Sequence, residues 1–395
     1  MKQIEKLTEQ YWNKILEYRR WLHVHPELSG QEKETGAYVA QKLREMGLTP
    51  TEHVGGYGVT AVIEGALPGK CVGIRADFDA LAVTEQTGLP YASENPGVCH
   101  ACGHDTHAAM LLGVAHILMD MRDQIKGSVK LIFQPSEENS ATSGAKAMIA
   151  DGVLENPKVD AVLAQHINPL FPFGKVMMAD GVITAGSDKF FITIKGKSCH
   201  ASKPDMGIDA IAIGAQIVSA LQTIVSRNVS PLDSAVITVG KFHSGAQYNA
   251  VAETCEMEGT CRNLNPEVRN KMPQRMENII RGIAEGMGAT YTFRYVMGYD
   301  PLYNDPGVCS IVRRTAREVL GEEYVGEPAN RTLGGEDFSF FAQKVPCAYY
   351  YIGCQHEDQP FWPLHNGHFN PDEDAMKSGI RVMAASALNF LAENN

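Results

Sequence analysis

The sequence predicts an α/β protein interrupted by a smaller α+β domain. Three observations lead there. Apolar strands alternate with amphipathic helices across residues 1–186, the order becomes strand–helix–strand–strand–helix–strand across 187–297, and the first pattern returns across 298–395. The middle order is that of a ferredoxin-like sandwich, and a unit of that size folds alone. At 395 residues the chain also exceeds what one hydrophobic core usually serves, so two domains are expected.

Taken in order, residues 7–24 read as a helix stopped before Pro26, and 31–46 as a second stopped by Gly47. Residues 58–64 and 71–76 are short apolar strands, parted by a turn at Leu67-Pro68-Gly69-Lys70. A helix follows over the apolar run 108–119, then strands at 128–134 and 159–164, the latter with Gln165-His166 at its tip. The insertion has strands at 190–195, 235–242, 255–261 and 290–295, with helices at 209–225 and 266–286. Helix 307–320, strand 348–352 and helix 372–391 close the chain.

Composition excludes several classes. A formal net charge of -11 gives no basic face for nucleic acid. The amphipathic, acid-containing N-terminus predicts no signal peptide, and no apolar run approaches the ~18 residues of a membrane span. Nine cysteines without framework spacing read as reduced thiols of a cytoplasmic protein.

The chemistry gathers at Cys99-His100-Ala101-Cys102-Gly103-His104-Asp105-Thr106-His107, just ahead of the third helix. Thiolate and imidazole donors crowded there suit a transition metal such as zinc, and Cys102-x-His104 lets alternate side chains of an extended loop face one ion. The cluster alone supplies too few ligands. Glu137-Glu138, His166 and His365 are the candidates to complete it, the first two at strand ends, where ligands bind in open α/β sheets. Asp77 ends a strand in the same way and reads equally as a site carboxylate or a turn cap. Adjacent glutamates can divide labour, one on the metal and one as general base.

These residues sit in motifs that resemble the M20 metallopeptidases, in the branch of N-acyl-amino-acid amidohydrolases that includes hippurate hydrolases, bacterial aminoacylases and plant auxin-conjugate hydrolases. The resemblance runs nearly end to end. It is carried by Arg19-Arg20-Trp21-Leu22-His23 with His25-Pro26-Glu27-Leu28-Ser29, by Arg75-Ala76-Asp77 with Asp79-Ala80-Leu81, and by His100-Ala101-Cys102-Gly103-His104-Asp105. Glu137-Glu138, Gln165-His166, Cys199-His200-Ala201-Ser202, Asn249-Ala250-Val251, Arg262, Gly334-Gly335-Glu336-Asp337-Phe338 and Leu364-His365-Asn366 continue it.

The resemblance implies a phosphorylase/hydrolase-like di-metal catalytic domain with an inserted ferredoxin-like lid and dimerisation domain. It implies two divalent ions per subunit, zinc foremost, with manganese, cobalt or nickel as alternatives. Cys102 would bridge them, with His104, Glu138, His166 and His365 as the other ligands. Glu137 would be the general base and Asp77 a carboxylate orienting a ligand imidazole. His200 would reach a partner subunit's active site and stabilise the oxyanion, which implies a homodimer through the insertion and leaves a tetramer open. Asn249, Arg262, Gly334 and Gly335 would hold the substrate, an N-acyl amino acid, with a dipeptide or N-acetyl-diaminopimelate as alternatives. A non-catalytic metal- or peptide-binding homologue is the reading from another class; the complete set of ligands, Glu137 and His200 argues against it.

Other histidines read as structural. His23 and His25 lie on the first helix, His107 falls one turn beyond His104, and His243, His356 and His368 read as surface or supporting residues. Cys99-x-x-Cys102 also resembles half a structural zinc site or a redox pair, but no second Cys-x-x-Cys follows.

Overall fold

A computed structural model describes residues 1–394, which divide into two compact units: 1–181, 303–330 and 337–394 in the first, 182–302 and 331–336 in the second. In chain order the strands begin with β1 (Thr51–Val54), β2 (Gly58–Glu64), β3 (Leu67–Asp77), β4 (Lys126–Gln134), β5 (Ala161–Pro172), β6 (Val176–Met177) and β7 (Gly181–Thr184). They continue with β8 (Gly186–Lys195), β9 (Ala235–Ser244), β10 (Thr254–Asn263), β11 (Thr290–Tyr299), β12 (Leu302–Asn304), β13 (Val325–Gly326) and β14 (Cys347–Gln355). The helices are α1 (Lys2–Val24), α2 (Lys33–Glu45), α3 (His104–Asp120), α4 (Gly144–Ala150), α5 (Ala210–Thr223), α6 (Pro266–Gly286), α7 (Pro306–Leu320), α8 (Ser339–Ala342) and α9 (Ala375–Glu393).

The first unit is built on an eight-stranded sheet ordered β1-β2-β4-β3-β5-β14-β6-β13. Its centre, β4-β3-β5-β14, is parallel. Such strands are covered on both faces, which is why β3, β4 and β5 read as apolar runs without alternation. Helix α3 is apolar nearly all round and buried throughout His104–Leu118, as a helix enclosed by other elements must be.

Two expectations fail here. Leu67–Lys70 is the exposed beginning of β3 rather than a turn, with a register slip between Leu67 and Cys71. His166 lies inside the long strand β5 rather than at a tip, because pairing with β14 carries the ladder on to Pro172.

The second unit's four-stranded sheet is ordered β11-β8-β10-β9 and antiparallel throughout, the ferredoxin-like arrangement. Its core takes Ile213, Ile217 and Leu221 from α5 and Met272, Met276 and Ile280 from α6. The stretch Ala210–Asn228 reaches the apolarity of a membrane span by length and composition only, and its buried face belongs to this unit's core. The interspersed Gln216, Ser219, Gln222 and Thr223 break it into short apolar runs, but the mean hydropathy over the window still reaches 1.3.

Gly144, which opens α4, decides how the loop after β4 returns. Its amide donates to the Ser136 carbonyl at 3.1 Å, and a Cβ there would fall 1.6 Å from the Pro135 carbonyl oxygen. Both sides are backbone, so neither can yield cheaply. Gly144→Ala should therefore destabilise the first unit by at least about 1–3 kcal/mol, read as a lowered thermal midpoint; an unchanged midpoint would contradict this packing.

Candidate metal centre

The turn Cys102-Gly103-His104 is made possible by Gly103, which caps α3 with φ 84° and lies so close to β5 that a Cβ would come within 2.7 Å of Ile167 Cγ2. Any side chain there would push the thiol and imidazole away from His166. As folded, Cys102 Sγ lies 3.5 Å from His166 Nε2. Cys102, His104 and His166, all buried, offer donor atoms within 4.8 Å of one another. So do Cys102, Glu138 and His365, and so do His104, Glu137 and Glu138. Five sequence-predicted ligands and Glu137 thus converge in the first unit, with Cys102 common to two of the triads.

The outer nitrogens show which lone pairs remain for a metal. His104 Nδ1–H donates to the Asp79 carbonyl at 3.0 Å and lies 3.2 Å from Asp79 Oδ1, which leaves the buried Nε2 without a hydrogen-bond partner. His166 Nδ1–H donates to the Ile167 carbonyl at 2.5 Å, leaving its Nε2 towards Cys102. This is how metal-binding histidines are usually held, and the orphaned Nε2 of His104 is a buried polar atom that a cation would satisfy. The donor set of thiol, imidazoles and carboxylate fits a divalent transition metal. His365, more exposed, has left-handed φ 65°, is tied to the turn by its amide to the Ala101 carbonyl at 2.7 Å, and meets Glu138 Oε1 at 3.1 Å.

The partner of Asp77 differs from expectation. Its Oδ1 accepts from His107 Nδ1–H at 2.5 Å, while His104 Nε2 stays 3.8 Å away. His107 Nε2 in turn accepts the Ile167 amide at 2.9 Å, so its lone pair is used and it cannot ligate as placed. It pins β5 next to His166 instead. Asp79 and His107, which sequence reasoning passed over as site residues, hold the ligands; Asp79 was detectable, because i and i+2 on an extended strand face one way and Asp77 had already been singled out.

A second chain reaches Glu137. Arg75 donates to Asp77 Oδ2 at 2.6 Å and to Asp337 Oδ1 at 2.9 Å, and the Asp337 amide lies 3.4 Å from Glu137 Oε1. Asp337, fully buried, also accepts from Gln134, Ser143 and the Ala145 amide. His23 is structural as expected, between Asp105 at 2.8 Å and Glu85 at 3.1 Å, and His25 bonds to the Trp21 carbonyl. His356 pairs with Asp372, His368 stacks on Trp362, and His243 is exposed on β9. All nine cysteines are unpaired.

The remaining predicted residues belong to the second unit. The exposed His200 accepts the Ser202 amide at Nδ1 (3.1 Å), with the Ser202 hydroxyl at 2.7 Å, so its proton sits on Nε2 and that atom is a donor. Asn249 is beside it: its carbonyl takes the Ala201 amide, and His200 bridges Ala250. Arg262, half-buried on β10, has its Nη1 3.4 Å from where a Cβ of Gly335 would stand. Gly334 is held by its amide on the Thr332 hydroxyl.

The sequence pattern of peptidase family M20/M25/M40 matches residues 73–389. The chain belongs to that family. It is 42% identical over 302 residues to the N-acyl-L-amino acid amidohydrolase of Geobacillus stearothermophilus, covering 76% of this chain and 81% of that one. It is 38% identical over 380 residues to the N-acetyl-L-cysteine deacetylase of Bacillus subtilis strain 168, covering 96% and 89%. The crystal structure of the Bacillus subtilis YXEP protein, described as a dinuclear metal-binding peptidase of the M20 family, superposes with a TM-score of 0.84 at 34% identity over 98% of this chain and 100% of that one. The chain is thus a metal-binding hydrolase of amide C–N bonds.

Electrostatics sets the protonation of the empty-handed donors. Burial pushes the Cys102 thiol well above its ordinary range, and the charges of Glu138, Glu137 and Asp77 push the same way. Burial opposes charge on His104, but Asp77 and Asp79 outweigh it and hold the imidazolium up to about 10. At pH 7, below both values, each carries a proton that ligation must displace. Loading chelator-stripped protein should release about two protons per centre, with metal affinity rising between pH 7 and 10; calorimetry in buffers of differing ionisation enthalpy reads the number, and zero release would refute this assignment.

Proposed function

We propose that the protein cleaves the amide bond of N-acyl amino acids, giving a carboxylic acid and a free amino acid, at a centre where Cys102, His104, Glu138, His166 and His365 would hold two divalent ions. One observation carries the reading: Cys102 belongs to two donor triads at once, with His104 and His166 on one side and Glu138 and His365 on the other, and Glu137 stands beside both. When bound, the ions supply Lewis acidity that makes water acidic enough to lose a proton near neutral pH. Zinc best suits thiolate with imidazole; manganese, cobalt and nickel fit the same donors.

Glu137 accepts the proton from the attacking water and delivers it to the amide nitrogen as the C–N bond breaks. It is buried with Oε1 3.4 Å from the Asp337 amide, and its carboxylate offers an oxygen within 4.8 Å of donor atoms of His104 and Glu138. Asp77 acts through His107 on the strand that carries His166. His200, a donor at Nε2, stabilises the oxyanion, reaching a partner subunit's centre in a homodimer formed through the second unit. Arg262 supplies a fixed positive charge for the substrate carboxylate, with Gly335 close to its guanidinium; Asn249 and Gly334 would be further substrate contacts. Nine unpaired thiols support a reducing compartment, the cytoplasm.

The test is free-amine release from benzoyl-glycine, N-acetyl-methionine, an indoleacetyl amino acid, N-acetyl-diaminopimelate and a dipeptide, by stripped protein reloaded with zinc, manganese or cobalt. Metal-dependent turnover of an acylated substrate is expected; turnover of the dipeptide alone would reassign the activity. Glu137→Gln should keep both metals by elemental analysis yet lose about 10²–10⁴-fold in kcat, and full activity would remove it as the base. His200→Ala should lose about 10²–10³-fold in kcat, with an unchanged rate sinking the oxyanion role.

A further inference from the structure

Between α1 and α2 the chain passes close under the glutamate turn. Ala80 donates its amide to the Glu27 carbonyl at 2.8 Å, and the Ser29 hydroxyl donates to Asp79 Oδ2 at 2.6 Å, the same oxygen that accepts the Glu138 amide at 3.0 Å. Three residues later Glu32 occupies the N-cap position of α2, its side chain wholly buried and turned to Ser136 rather than to the helix amides. Its Oε1 accepts two hydrogen bonds from one residue, the Ser136 amide at 2.8 Å and the Ser136 hydroxyl at 3.0 Å, while Oε2 has no hydrogen-bond partner.

Ser136 has φ 54°, the left-handed region that residues with a Cβ avoid, and it immediately precedes Glu137 and Glu138. Such a conformation persists only where its surroundings over-determine it. A buried carboxylic oxygen gripping both the amide and the hydroxyl is the strongest constraint on it, joined by the Gly144 amide on the Ser136 carbonyl.

We propose that Glu32 is a positioning residue, whose Oε1 holds Ser136 in the left-handed turn from which Glu137 enters as base and Glu138 as ligand. The proposal rests on the reading of those two residues given above. It is the acceptor oxygen, rather than the charge, that does the holding. Burial pushes the Glu32 carboxyl up to about 7, against the pull of neighbouring amides and with the help of the Asp79 charge. In the protonated form the proton can sit on Oε2, leaving Oε1 to accept as before.

The experiment is a comparison of Glu32→Ala, Glu32→Gln and Glu32→Ala combined with Ser136→Gly, on the reloaded enzyme with its fastest N-acyl substrate. Chelator competition on the metal-loaded protein is read in parallel. Glu32→Ala should lower kcat by about 10–100-fold with KM within about threefold, and weaken metal retention about tenfold, because both carboxylates lose their aim. Glu32→Gln keeps the acceptor and should stay within about threefold of the parent in both readouts. The added Ser136→Gly should recover most of the loss, since glycine enters the left-handed region unforced. Unchanged kcat and metal retention in Glu32→Ala would overturn the proposal, as would a Glu32→Gln variant as damaged as the alanine or a glycine that restores nothing. If the parent itself turns over no acylated substrate, the functional reading fails, whereas the chelator competition still decides the brace.

Discussion

The structure depends on burying a thiol and two imidazoles with their donor atoms turned towards one another. Taking those atoms from water costs free energy that no protein partner repays, since His104 Nε2 has no hydrogen bond and His166 Nε2 faces only a sulfur. A cation is the natural remedy. Much of the surrounding architecture keeps the donors from turning away before it arrives: the left-handed Gly103, the carbonyls of Asp79 and Ile167 on the outer nitrogens, and β5 itself.

Around the donors lies a layer of buried charge. Burial disfavours the carboxylate of Asp77, but Arg75, His104 and His107 hold it well below the ordinary carboxylate range. Through Arg75 it is joined to Asp337, and through His107 to the backbone beside His166. A network in which every member is satisfied is rigid, and rigidity is what a proton-transferring glutamate needs. Among the described residues, three of the five non-glycine residues with positive φ, Ser136, Ser143 and His365, occur on the loops that this network and its neighbours hold. Strain gathered near functional groups is the usual pattern.

The predicted residues fall on both units. The first unit contains Cys102, His104, Glu138, His166 and His365, the proposed ligands, together with Glu137. The second contains His200, Asn249, Arg262, Gly334 and Gly335, on a four-stranded scaffold with its own core.

The sequence by itself determined the elements and the donors. Parallel strands buried on both faces leave unbroken apolar runs, helices leave their own period, and residue type marks Cys102, His104, Glu137, Glu138, His166 and His365 as candidate donors, which the resemblance gathers into one set. What it left undecided was pairing across long separations. Hydrogen-bond partners more than a few residues apart carry no local signature, so nothing near Asp77 pointed to His107, nothing near Ser136 to Glu32, and nothing in 159–172 said that β14 would extend β5 past His166. Those choices are made when buried polar groups must find partners in a closed interior, and only the tertiary structure contains that constraint.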